Sequence, residues 1–69
     1  MDYKFTERLK ELRTEKGLSM QQLSRQLGLA DYSANRWENG KTIPNAHYIF
    51  ILCQFFGCSA DFILGLSEE

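Results

Sequence analysis

Trp37-Glu38-Asn39-Gly40-Lys41 is the stretch on which the fold turns. Asn39-Gly40 is turn chemistry, because both residues tolerate the left-handed backbone that ends a helix. Pro44 marks the end of the loop that follows. Upstream, the helical period puts Ala30, Ala34 and Trp37 on one side and Tyr32, Asn35, Arg36 and Asn39 on the other. The spacing predicts a helix over about 30–38 with an apolar inner face and a polar outer face. Gly28-Leu29 forms a short turn before it. Before that turn, Ser19 followed three residues later by Gln22 is a capping box. It opens a short helix with Leu23 and Leu27 on one face.

The flanks are helical as well. Phe5, Leu9 and Leu12 fall at i, i+4 and i+7, a stripe that stops at Gly17. Asn45 caps a fourth helix carrying Ile49, Leu52, Cys53 and Phe56, which Gly57 stops. Ser59 caps a last one through Phe62, Ile63 and Leu64, closed by Gly65. No run of alternating β-branched residues suggests a strand. The expected architecture is all-α: five helices in one domain over residues 1–66, with 67–69 as a tail and Leu66 onward frayed.

Composition narrows the function classes. A chain of 69 residues allows one small domain and buries roughly 60% of its unfolded surface. No apolar run approaches the ~18 residues of a membrane span, and the charged, periodic start is not that of a signal peptide. Cys53 and Cys58 sit in apolar company and read as reduced thiols. With His47 the only histidine, no metal site is expected. The same scarcity, with no glycine-rich phosphate loop and no room for a pocket, argues against an enzyme, a cofactor or a small-molecule ligand.

Net charge is −1, but its distribution is uneven. Residues 1–41 hold all eight basic groups and six acids, net +2; residues 42–69 hold three acids and no base, net −3. Positive charge gathers around the third helix. The field is weak, so any polyanion would be bound by fitted contacts more than by bulk attraction.

The ordered set Arg8-Leu9-Lys10-Glu11-Leu12-Arg13, Gly17-Leu18-Ser19, Leu23, Leu27-Gly28, Trp37 to Lys41, Pro44 and Phe56 to Gly65 resembles the Cro-type (lambda-repressor-like, XRE) helix-turn-helix family over about residues 5–65. The resemblance implies a compact five-helix DNA-binding domain with the helix-turn-helix at helices 2 and 3. It also implies a small transcriptional regulator, bacterial or phage-encoded and cytoplasmic: a repressor acting by occlusion or, equally compatible with the sequence, an activator touching polymerase. Double-stranded DNA would be read in the major groove, which admits one helix. Asp31, Tyr32, Asn35 and Arg36 then stand at base-reading positions, with Arg36 suited to guanine. Gln21, Arg25, Ser33, Asn39, Lys41 and Thr42 stand at DNA-backbone positions. Arg13 and Glu38 match the family's buried salt bridge.

Three positions depart from the family pattern. Met20 stands where glutamine is frequent, and Ala34 where isoleucine or valine is usual. Asp31 occupies a position often held by Gln, Ser or Arg. Asp31 either accepts from cytosine N4 or caps the third helix, the reading favoured here. Tyr48, Phe50, Ile51 and Phe55 lie partly off the fourth-helix stripe and exceed what a small core absorbs. They are candidates for a homodimer contact, at least on DNA, since one recognition helix covers few base pairs and a palindromic operator matches a two-fold dimer. The alternative reading is a protein-interaction module that keeps the fold without DNA binding. Asp31, Met20 and the net negative charge favour it.

Overall fold

The computed structural model describes residues 4–69, and among these described residues five helices form in the order expected. They are α1 (Phe5–Glu15), α2 (Met20–Gln26), α3 (Ser33–Glu38), α4 (Ala46–Phe56) and α5 (Ala60–Leu64). The starts of α2, α4 and α5 are set locally. The hydroxyl of Ser19 accepts from Gln22 N at 3.0 Å while the Gln22 side chain accepts from Ser19 N at 2.8 Å. Asn45 and Ser59 each accept from the amide three residues on, both at 3.0 Å. Each satisfies one of the amides that a helix start leaves unpaired.

The core is small. Phe5 and Leu9 of α1, Leu23 of α2, Ala34 and Trp37 of α3, Leu52 of α4 and Ile63 of α5 are its buried apolar members. Every helix contributes, so no pair of helices has a core of its own. α1 packs against α3 and α5, α2 against α3, and α4 against α5. The Trp37 ring lies 5.8 Å from that of Tyr48, which ties α3 to α4.

Three expectations are corrected. First, α3 begins at Ser33, not near Ala30, and Ala30 is exposed, not on the inner face. Residues 30–32 are consumed by a turn closed by Ser33 N donating to Ala30 O at 3.0 Å. Second, Asp31 does not cap α3. The cap position falls on Tyr32, whose side chain makes no capping bond. Third, the last residues are held rather than frayed. Leu66 N and Ser67 N donate to Asp61 O at 2.8 and 3.2 Å, and Ser59 Oγ donates to Glu69 O at 2.7 Å.

Arg8 completes that closure. It looks like a surface charge in the α1 pattern, yet it is 6% exposed. Its guanidinium lies 4.2 Å from the centroid of the Phe62 ring. It donates to the Phe62 carbonyl, to Ser67 O at 2.6 Å and to Glu68 at 3.3 Å. A buried cation is tolerated where its donors are filled. Here the Phe62 carbonyl within α5 and the Ser67 carbonyl and Glu68 carboxylate beyond it fill them.

Candidate nucleic-acid interface

One hydroxyl bridges α2 and α3. Ser24 is fully buried. Its Oγ donates to Met20 O at 3.0 Å and accepts from Ala34 N at 2.9 Å. The second bond supplies the cap that Tyr32 and Asp31 do not, and it comes from the neighbouring helix. The turn between the helices depends on Gly28, which adopts φ +75°, a backbone that side-chain-bearing residues avoid. Leu29 N then bonds Ser24 O at 2.9 Å.

The far end of α3 is braced from α1. Arg13 Nε and Nη2 donate to the two carboxylate oxygens of Glu38 at 2.6 and 3.1 Å, while Nη1 donates to Leu18 O at 2.8 Å. The two side chains are 12% and 7% exposed. The Glu38 hydrogen bond raises the Arg13 pKa above its ordinary value, so the guanidinium stays charged. Glu38 also ends α3. Gly40 N donates to Trp37 O and Lys41 N to Arg36 O, at 3.1 and 3.0 Å, with Gly40 at φ +71°. This double bond is the Schellman closure, which turns the chain sharply into the loop.

Between these anchors lies a polar outer surface. Tyr32 is 62% exposed. It separates two shallow depressions, one of about 450 Å³ reaching Ser19, Gln21, Asp31 and Asn35, the other of about 230 Å³ reaching Ser33, Arg36 and Thr42. Arg36 and Lys41 are exposed, and neither cationic group has a hydrogen-bond or ion-pair partner among the described residues. Asn35 is half-buried, and its Oδ1 accepts from Asn39 Nδ2 at 2.8 Å. That leaves the Asn35 amide hydrogens without a hydrogen-bond partner among the described residues.

Asp31 collects two of the expected backbone contacts. Arg25 donates from Nε to Oδ1 at 2.9 Å and from Nη2 to Oδ2 at 3.0 Å, and Gln21 Nε2 donates to Oδ2 at 3.0 Å. Both charged partners are well exposed, at 64% and 48%. Arg25 and then Gln21 hold the Asp31 carboxyl below its ordinary value. Sequence spacing did not suggest this cluster, because Arg25 lies six residues before Asp31 and only the Gly28 turn brings them together. Ser24 was missed for the same reason. A small polar residue on the apolar side of a short helix was its only signal.

The four residues proposed for a dimer contact separate. Tyr48 is half-buried against Trp37, and the Phe55 ring lies 5.0 Å from the Lys16 ammonium. Ile51 is half-buried, whereas Phe50 is 58% exposed. Phe50 lines an apolar groove of about 480 Å³ between α4 and α5, together with Ala46, Ile49, Cys53, Ala60 and Leu64. Burial raises the pKa of both thiols, that of Cys58 to about 11, so both stay protonated near neutrality. Among the described residues no group of three metal-ligating side chains is present, and no helix is long and apolar enough to cross a membrane.

A helix-turn-helix family model, HTH_3, matches residues 9–63. The chain belongs to the Cro-type, lambda-repressor-like helix-turn-helix family. Family relatives include the HTH-type transcriptional activator BcrR of Enterococcus faecalis, 36% identical over 64 residues, 93% of this chain and 31% of that protein. Another is the SPbeta prophage-derived regulator YonR of Bacillus subtilis, 38% identical over 60 residues, 87% of this chain and 56% of that protein. The chain thus spans between about a third and three-fifths of the curated relatives it matches. Among solved structures, a transcriptional regulator from Listeria innocua superposes with TM-score 0.87 at 26% identity, over all of this chain and 64% of that one. The P22 c2 repressor in complex with synthetic operator 9T superposes with TM-score 0.79 at 25% identity, over 87% of this chain and 91% of that one.

Proposed function

We propose that the domain binds double-stranded DNA sequence-specifically as the reading head of a small transcriptional regulator. The observation that carries this is the anchored α2–α3 unit, which presents the uncommitted Arg36 guanidinium outward beside Tyr32 and the Asn35 amide. A helix held at a fixed angle is what a major groove requires. Arg36 donates bidentately to guanine. Tyr32 covers a thymine methyl, and Asn35 donates its amide hydrogens to base edges. Lys41, with Asn39, Thr42 and the helix-start residue Ser33, contacts phosphate and sets register without reading sequence.

One copy covers few base pairs, so the operator is a palindrome bound by two copies, joined through the α4–α5 groove around Phe50. Such a complex sits in the cytoplasm, where bacterial or phage DNA is. It represses a promoter it overlaps by excluding polymerase. The tail of a longer chain would leave from the α5 end, which Arg8 secures.

Selection of bound duplexes from a random pool tests this reading. The parent should yield a two-fold-symmetric motif containing guanine in each half. Arg36→Ala should lose preference at that guanine, by about 1–3 kcal/mol, with its melting temperature unchanged. No enrichment at low salt, where phosphate attraction is strongest, would leave the fold as an interaction module.

A further inference from the structure

We propose that Asp31 is a specificity-determining residue that works by restraint: it occupies the Arg25 guanidinium and Gln21 amide that would otherwise grip phosphate, and so lowers sequence-independent DNA affinity. The proposal rests on the DNA-binding reading above and deepens it.

Arg25 spends Nε and one hydrogen of Nη2 on Asp31, and Gln21 spends one amide hydrogen on the same carboxylate. These are the exposed polar side chains that α2 turns toward the Asp31 end of α3. A carboxylate presents the same fork of two anionic oxygens to a guanidinium as a phosphate does. Asp31 therefore stands in the free protein where a phosphate would stand in a complex.

Charge makes the effect large for so small a domain. Between Ser19 and Thr42 the basic groups are Arg25, Arg36 and Lys41. Asp31 offsets the first of these, which leaves two uncompensated cations on the interface. Sequence-independent binding scales with the number of phosphates neutralised, whereas base contacts do not. Withholding one cation in three therefore weakens random DNA more than it weakens the operator, and the ratio between them rises. The pair is exposed, so it is broken cheaply when a well-fitted site draws Arg25 away.

The test is a cycle of four proteins: parent, Asp31→Asn, Arg25→Gln and the double variant. Each is titrated with a short random-sequence duplex from low to physiological salt, and with the duplex selected by the parent. Asp31→Asn should bind random duplex up to about fivefold tighter, and its salt dependence should steepen by about 0.9 log units per log salt, one extra phosphate contact. Its gain on the selected duplex should be smaller. In the Arg25→Gln background the same Asp31→Asn change should lose most of the gain and all of the extra slope. Asp31→Ala provides a second removal of the carboxylate if the asparagine keeps the Gln21 bond. Weaker or unchanged random-duplex binding by Asp31→Asn and Asp31→Ala would overturn the proposal and make Asp31 a partner that aims Arg25 at DNA. An equal gain with and without Arg25 would also overturn it, leaving bare charge removal. If no protein of the four binds any duplex at low salt, the DNA-binding reading itself falls, which is a different failure.

Discussion

Two ion pairs flank the two ends of α3, and they differ in what surrounds them. Arg13–Glu38 and Arg25–Asp31 are both two-pronged, with bonds of 2.6 to 3.1 Å. The first is nearly buried, at 12% and 7% side-chain exposure, and Arg13 also holds the α1–α2 turn through Leu18 O. The second stands in water at 64% and 48%. Geometry alone would rank them as equals. Solvent separates them, because a buried charge deprived of its partner stays desolvated while an exposed one simply hydrates. One pair therefore belongs to folding and the other is available to a ligand.

The sharpest way to break that contrast is to remove one acid from each pair. Glu38→Ala should cost about 3–5 kcal/mol of stability, read as a large fall in the thermal or urea midpoint. Asp31→Asn should lower the midpoint only slightly, as expected of an exposed pair. Similar losses for the two variants would erase the distinction. Next in size is Ser24→Ala, which strands the buried Ala34 amide and frees the α2–α3 angle. An expected cost of about 1–3 kcal/mol should come with weaker DNA binding even at temperatures where the variant is fully folded. Ser24→Ala with parental stability and affinity would mean that the turn, not the hydroxyl, sets the angle.

Acid titration offers the smallest effect and the finest discrimination. Asp31 has its pKa lowered in the folded state. Its pair therefore supports folding fully above the ordinary aspartate value of 3.8 and loses that support as pH falls below it, through the lower folded value. Chemical shifts of the Asp31 carboxyl and the Arg25 guanidinium should move together across that window while the fold persists. Separate transitions would show that the pair does not hold in solution.

What could be foreseen from the sequence follows the range of each interaction. Ser19, Asn45 and Ser59 act on an amide three residues ahead, so spacing alone revealed them. Gly40 likewise serves a helix end it adjoins. The Arg13–Glu38 brace was foreseen through family resemblance, since nothing in a separation of 25 residues announces it. Ser24, Arg8 and the Asp31 cluster escaped because their partners lie across a turn or at the other end of the chain. Asp31 misled most. An acid just before a helix ordinarily caps it, but here a buried serine from α2 had taken that role and left the carboxylate for Arg25. The early start assigned to α3 had the same origin, since helical phase continues through the turn at 30–32 although the backbone does not.

On the proposed reading, the outer face of α2 and α3 reads DNA. Titrating isotope-labelled protein with the selected duplex and following its amide and side-chain resonances tests that claim most directly. Perturbations should concentrate on Gln21, Arg25, Tyr32, Asn35, Arg36 and Lys41, with the Arg36 guanidinium shifting most. Perturbations confined to Phe50, Leu64 and the rest of the α4–α5 groove, with that face silent, would contradict it.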